Sequence, residues 1–448
     1  MIPSSIRKRF SSAAVFSLLF VLLLPIGRFA MGETLAATAG NADGDRLAFA
    51  AIDDYARAIK VLPGEDAKSL AGRVTKTAAT DVEKARALYV WLTENILYDA
   101  AGYFSGSYGT VSVQEVLGTG KSVCQGFANL FESMSRAVGL DAVTISGWAK
   151  GSTYSPETFD RSPANHAWNA VKIEESWFLI DCAWGAGHLS EGEFVKCFDP
   201  FYFMPPPEQF NYSHFPNNAD WQLLNPPVTK EAFLKIPKTW SNFFRCGIEV
   251  LTSVYEQMPV NREEIFRFRV PESSDVLFTL YGPDRQPLPL QLFSQKAGDA
   301  YEVRARFAET GDYELHVFAR RNSDEDPFYR SAVALSFTNP LPSAPAEEYP
   351  DTYASYQKMQ CFLYYPFDRV LPADESVSFK IRIPEAEEAA VISGGQWSFL
   401  FPEGDVYTGK VWIQEGPIII LARFPEETVF QCLVEYIGLK EMRGIRNP

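Results

Sequence analysis

The sequence predicts an α+β chain of three folded units: a helix-rich domain completed by a small sheet, then two all-β sandwiches. Three observations predict it. Apolar residues recur every three to four positions between about Asp43 and Leu140, and the period shifts toward two after Gly139. Beyond NPPVTK, near 225 to 230, almost every apolar run is short and strand-like. Length agrees, since 448 residues at about 150 per domain make about three domains. The expected boundaries are a leader over 1–39, a mixed domain over 40–230, and sandwiches over 231–340 and 350–448.

In the leader, Arg7, Lys8 and Arg9 precede an uncharged run from Phe10 to Gly27, and Ala37, Thr38 and Ala39 form a small-x-small cleavage site before Gly40. The pattern predicts an exported protein, periplasmic, secreted or associated with the cell envelope. Retained uncleaved, the same run is an N-terminal membrane anchor. No later stretch is apolar enough to span a membrane.

In the mixed domain, Thr80 and Asp81 cap a helix whose stripe is Ala85, Leu88, Leu92 and Ile96, with Trp91 as a core anchor. A glycine-containing loop at 102 to 110 and VSVQEVLGTGKSV lead to a second amphipathic run, from Cys124 to Val138, with Phe127, Leu130, Phe131, Met134 and Val138 on one face. DAVTISGW, NHAWNAVKI and WFLIDCAW then read as strands, the last two joined by a turn at Glu174 and Glu175. The proline-rich FMPPPEQF, at 203 to 210, cannot continue a regular element and is expected to wrap the domain. In the second half, IFRFRV, DVLFTLYG, YEVRARF, YELHVFAR and VALSF are strands of the first sandwich. NPLPSAPAEEYP is a linker, and CFLYYPF, SVSFKIRIP, WSFLF, VWIQ, PIIILARFP and QCLVEYI belong to the second sandwich.

Composition excludes several functions. A hydrophobic content of 46% with 14% aromatics excludes a disordered chain, and a formal charge of −15 without a basic patch excludes non-specific nucleic-acid binding. The six cysteines are too dispersed for a disulfide scaffold. They form no CxxC, and His166, His188, His214 and His316 are far apart in sequence, so neither a metal nor a cofactor is expected. Gly120-Lys121-Ser122 has the tail of a phosphate loop, but Glu115 stands where the loop needs its first glycine.

Cys124 is the better chemical signal. At a helix start it faces unpaired N–H groups that favour a thiolate. With Glu174 and Glu175 as the turn, Ile173 faces Ser176, His166 faces Ala183 and Trp168 faces Asp181, which puts His166 and Asp181 diagonally on one face. A thiol nucleophile needs that pair: an imidazole to take and return the proton, and a carboxylate to fix its tautomer. A slip of one residue in register would separate them. The N–H of Cys124 is one oxyanion donor, and Tyr98 and Gln114 are candidates for the second. Asn165 offers either an orienting amide for His166 or a turn residue, and Trp168 either a water shield or core packing. His188 reads as an exposed loop residue and His214 as a structural hydrogen-bonding group of the wrapping segment. Cys182 points away from Asp181 by strand alternation, and Arg161 is a solvated loop charge or a contact for an acidic substrate group.

Over about residues 80 to 185 the chain resembles the transglutaminase-like, papain-type superfamily: YVWLTENILYDA, then GxGxxxCQGFANLFxxxxRAxGL with Cys124, NHAWNAV with His166, and LIDCAWGAG with Asp181. The continuation FxxPPEQFxxSHFPxxxxWQLL is similar to the kyphoscoliosis peptidase-like subgroup. The resemblance implies a cysteine-protease-like fold with a Cys-His-Asp triad that forms an acyl-enzyme with a peptide or glutamine carbonyl. Calcium-dependent transglutaminases are larger and begin with a β-sandwich absent here, so hydrolysis of peptide or side-chain amide bonds is the expected activity. The alternatives are a protein cross-linking transglutaminase and a non-catalytic envelope scaffold. The expected partners are a protein or peptide substrate and a cell-envelope component bound by the C-terminal domains.

Overall fold

The computed structural model describes residues 49–151, 154, 159, 164–340 and 347–440. The leader and Arg161 lie outside the described residues. No described helix is long and apolar enough to cross a membrane. The chain is α+β, with separate hydrophobic cores in the mixed domain and in each sandwich.

Helices α1 (Ala50–Ala58) and α2 (Ala67–Val74) pack on α3 (Asp81–Asn95) and on the later helix that starts at Cys124. Arg86 of α3 donates to both carboxylate oxygens of Asp53 in α1, at 2.8 and 2.7 Å, and both side chains are buried. Such a bidentate pair satisfies two buried charges at once and fixes α1 on α3. Thr80 and Glu83 form a reciprocal capping box at the start of α3. The sequence reads this helix as carrying a single apolar stripe, but every residue from Ala85 to Thr93 is buried. It is a central helix, covered by neighbours on all sides, and Trp91 is anchored by an indole N–H bond to the Ile59 carbonyl.

Strand β1 (Leu97–Tyr98) pairs in parallel with β2 (Lys121–Ser122), and between them lie α4 (Ala100–Ser105) and α5 (Val113–Thr119). This pairing delivers the chain to α6 (Cys124–Ala137), which packs on the sheet. A Cβ on Gly126 would strike the Ser122 side chain and Val116, so glycine lets the first turn of α6 sit against β2.

The sheet has the order β5-β4-β3-β8, with β3 Asp141–Ala149, β4 His166–Ile173, β5 Ser176–Ile180 and β8 His214–Pro216, all antiparallel. Ile173 pairs with Ser176 and Asn169 with Ile180, the register that a Glu174-Glu175 turn dictates. The ladder stops there. WFLIDCAW is not strand to its end: Asp181 caps a short helix, α7 (Cys182–Ala186), by accepting from the Trp184 N–H at 2.9 Å. Alternation therefore does not govern Cys182, and Ala183 does not face His166. AGHLSEG likewise forms a hairpin, β6 (Gly187–Ser190) with β7 (Glu193–Lys196), so the exposed His188 stands on a strand and not in a loop. The wrapping segment contains α8 (Pro207–Phe210) and ends in β8, which closes the sheet beside β3.

After α9 (Lys230–Lys235), the first sandwich faces a sheet of strands 249–250, 263–269, 300–306 and 292–297 against one of 258–259, 330–339, 311–321 and 274–281. The second pairs the sheet containing 388–393, 416–423 and 431–439 with that of 362–365, 376–382, 406–412 and 401–403. WSFLF, read as one strand, divides at Leu400 between the two opposing sheets.

Candidate active site

The first turn of α6 places Cys124 below the start of β4. The His166 ring and the Ala167 N–H are the neighbours that act on its sulfur in favour of the thiolate. The other face of the ring is occupied: His166 Nε2 lies 2.6 Å from Asp181 Oδ2, which leaves Nδ1 for the thiol. Cys124 and His166 are each 8% exposed and Asp181 is fully buried. Cys124, His166 and Asp181 are thus brought together from a helix start, a strand start and a helix cap.

The electrostatics favour an ion pair. Burial raises the Cys124 thiol, but the charge and hydrogen bond of His166, with the Ala167 N–H, outweigh it and the thiol lies below its ordinary value. Burial pulls the His166 imidazole down, yet the charges of Asp181 and Cys124 and the bonds to both push it up to about 10. Asp181 is raised by burial and lowered further by His166 and His214, and it stays well below the usual carboxylate range. All three directions describe a thiolate, an imidazolium and a carboxylate.

His214 makes the hydrogen bond within the wrapping segment that the sequence predicts and a second one that it does not. Its Nε2 is 3.1 Å from Asp181 Oδ2, and its Nδ1 is 2.9 Å from the Ser213 hydroxyl. Histidines 48 positions apart in the chain therefore meet at one carboxylate, with ring centroids 5.4 Å apart. The bond is to Asp181 rather than to the wrapping segment alone. Only the β3–β8 pairing creates this contact, and the sole local hint was the polar SH pair inside a proline- and aromatic-rich run.

His166, Asp181 and His214 offer ligand atoms within 4.8 Å of one another, the spacing of a possible metal site. The 2.6 Å separation of His166 Nε2 from Asp181 Oδ2 is that of a hydrogen bond. Two ligands of one tetrahedral zinc stand about 3.3 Å apart. The cluster is a hydrogen-bonded relay.

The remaining candidates divide. Tyr98 stacks near Phe127 and packs edge-on against Tyr103, and burial followed by the Cys124 charge pushes its phenol up, so it borders the thiol. Gln114 is exposed on α5. Asn165 does not orient His166 through its side chain: its Oδ1 accepts from the Ala149 N–H at 2.7 Å and its Nδ2 donates to the Ala149 carbonyl at 3.1 Å. It continues the β3–β4 ladder by one step and is neither an orienting amide nor a turn residue. Trp168, 1% exposed, lies 5.9 Å from the His166 ring and 5.1 Å from that of His214, and its buried indole N–H has no hydrogen-bond partner among the described residues. Cys182 is fully buried, and burial with the Asp181 charge pushes its thiol well up. All six cysteines are free.

Residues 68–182 match the transglutaminase-like superfamily, and residues 230–338 match the KY-like, immunoglobulin-like domain. Among curated relatives, a kyphoscoliosis peptidase of Homo sapiens is 31% identical over 286 residues, covering 62% of this chain and 42% of that protein. Hillarin of Drosophila melanogaster is 30% identical over 201 residues, 42% of this chain and 24% of that protein. A LIM and transglutaminase domain protein of Caenorhabditis elegans is 31% identical over 191 residues, with coverages of 40% and 26%. The chain thus aligns with less than half the length of the curated relatives it matches.

Proposed function

We propose, from the premise that this chain carries a transglutaminase-like domain at residues 68–182 and a KY-like immunoglobulin-like domain at residues 230–338, that it is an exported thiol hydrolase of peptide or side-chain amide bonds. One observation carries the reading: the His166 ring is bonded to Asp181 at 2.6 Å and is acted on by the neighbouring Cys124. Cys124 Sγ attacks the amide carbonyl carbon. The negative charge on the carbonyl oxygen falls near the Cys124 N–H, at the positive end of α6. As the C–N bond breaks, the His166 imidazolium gives its proton to the departing amine, leaving a thioester and a neutral imidazole. Water then attacks the thioester while His166 takes its proton, and the acid leaves as the thiolate–imidazolium pair re-forms. Asp181 keeps the ring aligned throughout.

Water is preferred to an amine as the acceptor because the human relative is named a peptidase. The test is cleavage of a peptide mixture read by mass spectrometry, alongside incorporation of a labelled amine into a glutamine-containing protein. Cleavage that is lost in Cys124→Ala supports hydrolysis, and amine incorporation lost in the same variant supports cross-linking. Turnover unaffected by Cys124→Ala refutes both enzymatic readings, and absence of both reactions in a wild type with an unreactive thiol favours the scaffold. Export rests on the cationic and apolar leader of residues 1–39 and is checked by cell fractionation with sequencing of the mature N-terminus, expected at Gly40. The two sandwiches would then hold the domain against a protein or envelope partner.

A further inference from the structure

Asp181 is more heavily engaged than a triad requires. Oδ1 accepts from the Trp184 N–H at 2.9 Å, and Oδ2 is shared by His166 at 2.6 Å and His214 at 3.1 Å. An ionised carboxylate can only accept, so both Nε2 atoms facing it carry hydrogen. For His214 this makes Nδ1 the acceptor, and the Ser213 hydroxyl 2.9 Å away is its donor. The ring is held as firmly as its hydrogen bonds: it is fully buried, stacked on Phe210 at 3.9 Å and 16°, and flanked by Trp184 at 4.6 Å and Trp168 at 5.1 Å. His166 and Asp181 are the charged groups that face it, with the Tyr202 ring 6.3 Å away.

We infer that His214 is a positioning residue of the thiol site: its Nε2–H occupies the lone pair of Asp181 Oδ2 that His166 leaves free and so fixes the carboxylate that orients His166. The inference rests on the thiol-site reading and deepens it. A fully buried carboxylate bonded only to His166 and one backbone N–H would be free to pivot about its helix-cap bond or to take up a proton, and either change weakens its hold on the imidazolium. His214 blocks both, and because burial and the neighbouring His166 charge push its own ring down to about 4, it does so as a neutral donor that does not compete for the charge on Asp181. The proline-rich wrap therefore serves the site. Its end, β8, pairs Ala149 with His214 while the same strand β3 pairs Gly147 with His166, so one strand sets the places of both rings.

The experiment is the pH dependence of iodoacetamide labelling at Cys124 in the full chain, read by peptide mass spectrometry, with thermal unfolding measured in parallel. H214F keeps an aromatic ring among Phe210, Trp168 and Trp184 and removes the donor. The expected result is an apparent thiol pKa raised by about one unit, and thus a labelling rate about tenfold lower on the acid limb, in a protein that still unfolds cooperatively. H214Q, whose amide nitrogen reaches the place of Nε2, restores most of the wild-type profile, whereas H214N, reaching only the place of Nδ1, does not. A wild-type profile in folded H214F overturns the inference and leaves the thiol site standing. If H214F does not fold, equal profiles for H214Q and H214N overturn it in the same way. Slow labelling of the wild type with the pH dependence of an ordinary cysteine overturns the thiol-site reading and this inference together.

Discussion

Cys124, His166 and Asp181 act as one titrating unit, so the pH dependence of the thiol follows from their mutual charges. Its lowered pKa means that the nucleophile is already a thiolate below the ordinary cysteine value of about 8.5. The imidazolium, held up to about 10, keeps its proton for the leaving group across neutral pH. The proposed hydrolysis should therefore follow a bell, its acid limb set by protonation of the thiolate below about 8.5 and its alkaline limb near 10 by loss of the imidazolium proton. A turnover profile still rising at pH 9 as free thiol ionises would contradict the ion pair. Asp181→Asn removes the charge that holds His166 up, and labelling of Cys124 at pH 6 should fall about tenfold or more, whereas Cys182→Ala, one position along but buried with a raised thiol, should leave labelling unchanged. A loss of labelling in Cys182→Ala would show that the reactive thiol had been misassigned. At this scale the three residues that the fold brings together could be picked out from the sequence because each sits in a distinctive local run, CQGFANLF, NHAWNAV and LIDCAWG. His214 could not, because its partner lies 33 positions away and is reached through a three-residue strand whose pairing only the folded wrap creates. Asn165 misled for a related reason: its side chain mimics a backbone ladder step, which no local pattern announces.

Two glycines decide whether the elements can bring these residues together. Gly147 on β3 leaves room where a Cβ would meet the Phe215 carbonyl, the Trp168 ring and Pro216. Gly147→Ala should push β8 off β3 and draw His214 from Asp181, slowing Cys124 labelling on the acid limb as expected of H214F and lowering stability by about 1–3 kcal/mol. A melting temperature and labelling profile equal to wild type would show that the wrap can shift without cost to the site. Gly126→Ala acts on the other side of the cleft, pressing the first turn of α6 away from Ser122 and Val116 and moving the sulfur from His166. The turn at Glu174 and Glu175 was legible, and with it the register that brings β4 and β5 together. The end of β5 was not: Asp181 looks like a strand residue by apolar alternation, while its capping bond to Trp184 turns the chain into α7. The strands missed in the sandwiches have similarly weak patterns, 292–297 because Gln295 occupies a buried position and 388–393 because Ala389, Ala390 and Val391 are buried in succession and blur the alternation.

Across the described residues, the two sandwiches are joined by a polar clamp centred on Gln295. Gln295 of the first sandwich is fully buried, and its carbonyl oxygen accepts from the Tyr356 hydroxyl at 2.8 Å and the Leu363 N–H at 2.9 Å. Its amide nitrogen donates to the Leu363 carbonyl and to Glu302, both at 3.2 Å, so the side chain is satisfied on both atoms. Around it, Phe293 enters the core of the second sandwich, and Arg306 lies over the Tyr349 ring at 4.1 Å while bonding the Glu348 carbonyl and Asp368. A buried amide of this kind matters less for the energy of its own bonds than for what its loss leaves behind. Gln295→Leu keeps the volume but strands the Leu363 carbonyl, at a cost of about 1–3 kcal/mol for a buried group left unpaired, and takes the acceptor from the Tyr356 hydroxyl, whose oxygen keeps the Leu363 N–H at 2.8 Å. Because these groups belong to the second sandwich while the substitution lies in the first, the loss should uncouple the two: calorimetric unfolding of the sandwiches, expected as one transition in the wild type, should separate into two. The triad lies in a different core, so Cys124 labelling at neutral pH should be unchanged in the same variant. A single transition at the wild-type temperature would mean that Phe293 and Arg306 suffice to hold the sandwiches together, and a fall in labelling would mean that the sandwiches bear on the thiol site from a distance.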